Sequence, residues 1–235
     1  MEELSFVRLI LFDADNTVLD FDKSERCALR ECLRRRGIPA GREQLLLYHR
    51  INDECWKRQE RGEIERSALL TERFRTFFAA IGYDGDPAAM QKDYGEALSR
   101  KMYRMPYACS VLRALARRYP LYLVTNGNTK TQHGRLDRNP VRRYFRQVFI
   151  SEEIGADKPS PLFFDRVFEA IRKEGVEAEP GQAFLVGDSP TSDIAGARRY
   201  GIRTCLYSPS GAGEISCGQD YTISDLRELW TLFGG

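Results

Sequence analysis

Histidine is scarce in this chain of 235 residues, and the scarcity removes several common kinds of active site. The two histidines are His49 and His133, and neither has a neighbourhood typical of a Ser-His-Asp or Cys-His catalytic site. The six cysteines are scattered, and no two of them form a C-x-x-C pair. Zinc sites and disulfide frameworks are therefore not indicated. If the protein is an enzyme, carboxylates must carry its chemistry.

Long apolar runs and a strong excess of one charge are also missing. The segment Val7–Phe12 has the length of a strand and is too short to span a bilayer. We expect no export signal, because the first residues show no charged segment followed by a long apolar stretch. The formal net charge is +2, which gives no reason to expect binding to a nucleic acid or a membrane surface. We expect a cytoplasmic monomer or homodimer that acts on a small molecule.

Short apolar segments alternate with helix-length amphipathic segments along most of the chain. The apolar segments are Val7–Phe12, Leu121–Thr125, Gln147–Ser151, Ala183–Gly187, Arg203–Tyr207 and Tyr221–Ile223. They lack regular polar alternation, as expected for strands buried on both faces. The helical segments between them are Ser110–Tyr119, Thr129–Asn139, Pro161–Glu174 and Thr191–Tyr200. This alternation predicts an α/β fold with a doubly wound, Rossmann-like parallel sheet.

The segment between the first two predicted strands breaks the alternation. From about Phe21 to Tyr103 the pattern predicts consecutive helices and no strand, over a length far beyond an ordinary crossover connection. The predicted helices are Lys23–Arg36, Arg42–Arg61, Arg66–Ile81 and Ala88–Tyr103. We predict that residues 21–104 form an inserted all-helical module over the carboxyl ends of the strands, and that residues 1–20 and 105–235 form the core that contains the sheet.

Polar side chains follow four of the predicted strands, at the edge where open parallel sheets bind their ligands. Two carboxylates two residues apart after an apolar strand would repel each other unless a cation were present. The convergence therefore predicts one catalytic site. Its members are Asp13, Asp15 and Thr17 after the first strand, Thr125 and Asn126 at the second, Lys158 after the third, and Asp188 and Asp193 after the fourth.

The four segments resemble the four motifs of the haloacid dehalogenase-like hydrolase superfamily. They read D-A-D-N-T, T-N-G, K-P and G-D-S-P-T-S-D, in the order and context of those motifs, and the resemblance covers essentially the whole chain. It implies that the helical insertion is the cap of that superfamily. A narrower resemblance to pyrimidine 5′-nucleotidases, which include enzymes acting on non-standard nucleotides, is carried by F-D-A-D-N-T and S-E-E-I-G-A-D-K-P-S-P.

The residue types suit phosphoryl transfer. We expect Asp13 to attack phosphorus and form an aspartyl phosphate. Asp15 would protonate the leaving alcohol and then activate a water molecule. A magnesium ion held by Asp13, the backbone carbonyl of Asp15 and Asp188 would neutralise the repulsion between nucleophile and substrate.

The remaining residues are expected to position these groups. Lys158 and the hydroxyl of Thr125, with backbone N–H groups near Asn126, would hold the transferring oxygens. Asp193 would orient Lys158 or Asp188, and Thr17 would hydrogen-bond its own loop. Among the aromatic residues near the junctions of the insertion, Phe21 is favoured as a substrate contact because it closely follows the catalytic loop.

Several functions remain open at this point. The leading one is a nucleoside 5′-monophosphatase with a preference for pyrimidines, and a sugar-phosphate or phosphoglycolate phosphatase would use the same chemistry. A catalytically inactive binding protein of the same fold is disfavoured because every expected carboxylate is present. Asp15 also disfavours dehalogenation, because a halide needs no proton to leave.

Overall fold

A parallel sheet lies at the centre of the protein. The structure, a computed structural model, describes residues 4–209 and 217–234. In these residues six strands run in the order β3-β2-β1-β4-β5-β6, and every neighbouring pair is parallel. The predicted α/β sheet is confirmed. Its strands are β1 (Leu9–Phe12), β2 (Leu121–Thr125), β3 (Gln147–Ile150), β4 (Ala183–Gly187), β5 (Arg203–Tyr207) and β6 (Tyr221–Ile223).

The α-helices fall into two groups. Between β1 and β2 lie α1 (Phe21–Arg35), α2 (Arg42–Glu60), α3 (Arg66–Ile81), α4 (Pro87–Ser99) and α5 (Ala108–Leu115). Later in the chain come α6 (Thr129–Leu136), α7 (Ser151–Ile154), α8 (Pro161–Lys173), α9 (Gly196–Tyr200) and α10 (Glu228–Leu232). No helix in the described ranges combines the length and apolarity needed to cross a membrane.

The central strand β1 is buried on both faces because helices cover both sides of the sheet. Ile10 and Phe12 belong to an apolar cluster that includes residues of α5 and α10. Leu9 and Leu11 point the other way, into a cluster that includes residues of α8 and α9. The alternation follows from the two-residue repeat of a strand, and the continuous apolar sequence follows from the two covered faces.

Several element boundaries differ from the predicted ones. The first strand begins at Leu9 because the N–H of Val7 donates to the carbonyl of Leu4 at 3.1 Å and closes a short 3₁₀ turn. Ser151 begins α7 and does not extend β3. The predicted helix over Thr191–Tyr200 is a π-helical turn over Pro190–Ala195 followed by α9.

The helices α1 to α4 share an apolar core of their own. Tyr48, Phe74, Phe77 and Tyr94 lie at its centre, with the rings of Tyr48 and Phe74 stacked at 5.0 Å. Such aromatic pairs add to the stabilisation from buried area alone. The four helices therefore pack mainly on one another, as their separate hydrophobic cluster shows.

The chain enters and leaves these helices through two adjacent segments. Leu19 forms an antiparallel bridge with Arg104, and the N–H of Asp20 donates to the carbonyl of Tyr103 at 3.1 Å. The carbonyl of Tyr103 thus bonds to the segment that enters the insertion, and α4 ends at Ser99 and not at Tyr103 as predicted. These bonds tie the helical insertion to the sheet directly beyond the end of β1.

The ends of α2 and α3 lie against the loops that follow the sheet strands. Gln59 donates to Asp157 at 2.8 Å, and Thr191 donates to Glu60 at 2.7 Å. Arg66 pairs with Asp157 and donates to the carbonyl of Gly127 at 3.0 Å. The insertion therefore covers the carboxyl ends of the strands, where the predicted site residues lie.

Candidate active site

One cleft brings together most of the residues that the sequence singled out. It has a volume of about 180 Å³ and lies between the carboxyl ends of the strands and the helical insertion. Thr17 does not line it. The predicted residues that do are Asp13, Asp15, Phe21, Thr125, Asn126, Lys158, Asp188 and Asp193.

Lys158 lies at the buried base of this cleft and uses all three of its donors. Its ammonium group donates to Asp13 at 2.7 Å, to Asp193 at 2.6 Å and to the backbone carbonyl of Val124 at 3.0 Å. Burial alone would lower the pKa of Lys158, but the carboxylates of Asp13 and Asp193 outweigh it and raise that pKa. Lys158 is therefore charged, and it fixes the orientation of the Asp13 carboxylate.

Asp193 is held close to the backbone of β4. One oxygen of its carboxylate accepts from Lys158, and the other accepts from the N–H of Ser189 at 3.1 Å. A Cβ atom on Gly187 would lie 2.4 Å from that second oxygen, so the glycine allows the approach. Both oxygens of Asp193 are thus engaged in hydrogen bonds.

Asp188 contrasts with Asp193. In the described part of the chain no hydrogen bond reaches its carboxylate, although the residue is half-buried. Burial, together with the nearby charges of Asp13 and Asp193, raises the pKa of Asp188 well above its ordinary value. Burial also raises the pKa of Asp13 to about 7, against the opposing charge of Lys158. The protein's own groups therefore leave this carboxylate cluster undercompensated.

A hard divalent cation fits the cluster. Asp13, Asp188 and Asp193 each offer a carboxylate oxygen, and these oxygens lie within 4.8 Å of one another. Oxygen ligands of this kind suit Mg²⁺. A cation there would compensate the buried negative charges that the single ammonium group of Lys158 leaves unbalanced. The free carboxylate of Asp188 and the second oxygen of Asp13 are the groups best placed to hold it.

The loop after β1 makes a tight turn that presents Asp13 and Asp15. Asn16 has a positive φ of 57°, and its side-chain oxygen accepts from the N–H groups of Phe21 and Asp22 at 3.1 Å. Asparagine tolerates this left-handed conformation better than most residues. The same side chain therefore shapes the turn and satisfies backbone donors at the start of α1.

Thr17 does not behave as predicted. It is fully buried, and its hydroxyl has no hydrogen-bond partner within the described ranges. The expected bond to its own loop is absent, and the N–H groups that follow Thr17 donate to a backbone carbonyl and not to its hydroxyl. The N–H groups of Val18 and Leu19 both donate to the carbonyl of Ala14. The prediction of a polar contact for Thr17 was wrong.

Two residues of α6 that the sequence analysis missed hold Asp15. One carboxylate oxygen of Asp15 accepts from Gln132 at 2.9 Å, and the other is ion-paired with Arg135 at 2.5 Å. Residues three apart lie on the same face of a helix, and Gln132 and Arg135 share the buried face of α6 with Leu136. The sequence of α6 has no apolar face that would have marked these two residues as buried. Arg135 is 1% exposed, which makes it an unusual buried cation.

Thr125 and Asn126 connect these elements. The hydroxyl of Thr125 accepts from Gln132 at 3.0 Å. The carboxamide of Asn126 accepts from the N–H of Lys158 at 2.9 Å and donates to the carbonyl of Lys158 at 2.8 Å. Asn126 thereby fixes the backbone that carries the buried lysine. Its side chain acts on Lys158, while Thr125 faces the cleft.

Comparison with known proteins identifies a family whose four sequence motifs the chain was found to resemble. The family model of the haloacid dehalogenase-like hydrolases matches residues 7–201. The pyrimidine 5′-nucleotidase PynA of Streptococcus pneumoniae is 35% identical over 87% of this chain and 85% of its own. The pyrimidine 5′-nucleotidase YjjG of Escherichia coli is 28% identical over 94% of this chain and 95% of its own.

A solved structure is also closely similar. The HAD-hydrolase YfnB of Bacillus subtilis is 32% identical over 95% of this chain and 94% of its own. A crystal structure of YfnB bound to magnesium aligns with a TM-score of 0.91 and 30% identity, covering 97% of this chain and 99% of that one. The resemblance stated from the four sequence segments is confirmed. The chain belongs to the haloacid dehalogenase-like hydrolase family.

Proposed function

We propose that this protein is a magnesium-dependent phosphatase that hydrolyses nucleoside 5′-monophosphates, with a preference for pyrimidine nucleotides. The observation that carries the proposal is the cleft in which Asp13, Asp15 and Asp188 meet Lys158. The similarity to two pyrimidine 5′-nucleotidases supports the choice of substrate. In this proposal residues 21–104 act as the cap, and residues 1–20 and 105–235 form the catalytic core.

In the first step, an oxygen of Asp13 attacks phosphorus and the bond to the leaving oxygen breaks. Lys158 holds the Asp13 carboxylate in place through its 2.7 Å hydrogen bond. Asp15 gives a proton to the departing alcohol, while the hydroxyl of Thr125 and the backbone near Asn126 contact the transferring oxygens. The products are the free nucleoside and an aspartyl phosphate.

In the second step, Asp15 takes a proton from a water molecule that attacks the aspartyl phosphate. Phosphate leaves, and Asp13 regains its carboxylate. Gln132 and Arg135 keep Asp15 at the cleft through both steps. A magnesium ion held by Asp13 and Asp188, with the backbone carbonyl of Asp15, would supply positive charge against the phosphoryl oxygens when bound. Asp193 holds the ammonium group of Lys158 beside the end of β4 by accepting hydrogen bonds from Lys158 and from the N–H of Ser189.

Phosphate release from a panel of substrates tests the choice of nucleotide. We expect kcat/KM for UMP, dUMP and dTMP to exceed that for AMP, glucose 6-phosphate and phosphoglycolate, when all are measured with Mg²⁺. A higher value for a sugar phosphate or phosphoglycolate would retain the Asp13 chemistry and replace the nucleotidase assignment. No release from any substrate would favour an inactive binding protein.

Removal and return of the metal tests the cation site. We expect EDTA to abolish phosphate release and Mg²⁺ to restore it. Ca²⁺ should restore it poorly, because its larger and looser ligand shell misplaces the nucleophile. A cation that binds only the folded protein also stabilises it, by about 2.7 kcal/mol at a concentration 100 times Kd. The midpoint of thermal unfolding should therefore rise with Mg²⁺.

The matched control for this experiment is Asp188→Asn, which removes a carboxylate with no hydrogen-bond partner in the described part of the chain. The variant should fold, because it loses a half-buried negative charge that neighbouring carboxylates repel. Its unfolding midpoint should no longer respond to Mg²⁺. An unchanged response would place the cation elsewhere in the molecule.

A further inference from the structure

The catalytic cleft continues past Phe21 and Trp56 into a narrower chamber inside the helical insertion. Phe21, Trp56, Asp15 and Asn126 line both parts, so the two spaces are continuous. The chamber has a volume of about 50 Å³. One water molecule needs roughly 10–15 Å³ on this measure, so the chamber holds about four waters and leaves no room for a fused two-ring base.

The direction of each hydrogen bond on one wall of this chamber is fixed by a buried carboxylate. Glu25, which is 1% exposed, accepts from the amide nitrogen of Asn52 at 2.9 Å. Asn52 must then offer its oxygen to Arg73, which donates to it at 2.6 Å. Arg73 is a donor only, and it donates to the carboxamide oxygen of Gln91 at 2.8 Å.

Gln91 therefore presents its amide nitrogen, and not its oxygen, as the free group. Gln91 and Gly95 both line the chamber. A Cβ atom on Gly95 would lie 3.9 Å from that nitrogen. The absence of a side chain at residue 95 leaves space beside the donor. Since Arg73 already donates to the oxygen, the group that Gln91 offers to a ligand here is its amide nitrogen, which binds a hydrogen-bond acceptor.

Arg135 adds a second donor to the same chamber. One of its terminal nitrogens is paired with Asp15, while Nε and Nη2 are buried without a hydrogen-bond partner within the described ranges. Buried guanidinium nitrogens without partners carry a desolvation cost that a bound acceptor would relieve. The guanidinium also lies 5.4 Å from the ring centre of Phe21.

We propose that this chamber is the base-recognition site of the nucleotidase, and that it selects a single six-membered ring bearing carbonyl acceptors, as in uracil and thymine. Phe21 and Trp56 flank the entrance, where they can contact the faces of a flat ring. Adenine is a fused two-ring base without a carbonyl group, so it has neither the single ring nor the carbonyl acceptors that the chamber selects. The inference rests on the proposed function, since it names the part of the substrate that lies beyond the phosphate.

The test compares kcat/KM for UMP and AMP in the wild type, Gln91→Leu and Gln91→Glu. The ratio within each protein cancels any general loss of folded enzyme. Gln91→Leu removes the donor, and we expect the UMP-to-AMP ratio to fall about tenfold. Gln91→Glu keeps an oxygen for Arg73 and presents an acceptor to the chamber, so its ratio should fall at least as far.

Gln44→Leu, a change at a glutamine of α2 that lies outside the chamber, is the matched control and should leave the ratio unchanged. Unchanged ratios in both Gln91 variants, beside a wild type that prefers UMP, would overturn the base site and leave the nucleotidase assignment standing. A wild type that hydrolyses p-nitrophenyl phosphate without preferring UMP over AMP would overturn the base site and the pyrimidine preference together.

Discussion

Replacing Asp13 with asparagine is expected to lower kcat by at least about 10⁴-fold, the scale on which loss of a nucleophile acts in other enzymes. An amide oxygen is a poor nucleophile and cannot form the aspartyl phosphate. Phosphate release from UMP with Mg²⁺ measures the effect. In the wild type, quenching the reaction with acid during turnover of ³²P-labelled substrate would trap the phosphorylated protein. Mass spectrometry of the labelled peptide would then place the phosphoryl group on residue 13.

The Asp13→Asn protein should remain folded. Lys158 keeps two of its three acceptors, Asp193 and the carbonyl of Val124. One negative charge is removed from a buried cluster in which burial already raises the pKa of Asp13 to about 7. The midpoint of thermal unfolding without metal should therefore not fall. Asp84→Asn, at an exposed position, is the matched control for both measurements. Normal turnover by the Asp13 variant would refute the nucleophile assignment.

Replacing Asp15 with asparagine is expected to slow hydrolysis of UMP by about 10²- to 10⁴-fold, the usual contribution of a general acid or base. The loss should depend on the leaving group. A nucleoside alcohol needs a proton to depart, whereas nitrophenolate does not. In the first turnover, release of nitrophenol from p-nitrophenyl phosphate should therefore stay close to the wild-type rate.

The rate at which the aspartyl phosphate is hydrolysed should distinguish loss of proton transfer by Asp15 from a general loss of structure. Because Asp15 also activates water, the variant should release a burst of about one equivalent of nitrophenol and then turn over slowly. Stopped-flow measurement with both substrates would show the contrast. An equal loss of the first-turnover rate for both leaving groups would indicate that Asp15 positions substrate and does not transfer a proton.

Asp15→Asn also disturbs an ion pair that the sequence analysis did not anticipate. Arg135 is almost wholly buried and loses the charge of its partner. Breaking a buried pair on one side is commonly costly because the remaining charge stays uncompensated. We therefore expect a lower midpoint of thermal unfolding for this variant than for Asp13→Asn.

Much of the site followed from the sequence because chain order and strand polarity determine it. Parallel strands bring their carboxyl ends to one edge of the sheet, so Asp13, Lys158 and Asp188 were expected at the same edge once β1, β3 and β4 were recognised. Their placement required no knowledge of side-chain packing. The family resemblance needed only the order of four short segments along the chain.

The contacts between side chains from distant parts of the chain did not follow in this way. The pairing of Asp15 with Arg135 joins residues 120 positions apart, and its existence depends on how α6 packs against the loop after β1. The hydroxyl of Thr17 has no hydrogen-bond partner in the described residues, and the N–H groups of Val18 and Leu19 donate to the carbonyl of Ala14. Local sequence cannot show which of several competing donors and acceptors will meet.

The sequence by itself determined the sheet, the helical insertion and the set of carboxylates at the strand ends, because these depend on hydrophobic periodicity and short motifs. Only the tertiary structure decided how Glu25, Asn52, Arg73 and Gln91 line up across four helices and leave one amide nitrogen facing the chamber. The physical reason is that the direction of a hydrogen bond is set by its neighbours in space, and those neighbours come from distant parts of the chain.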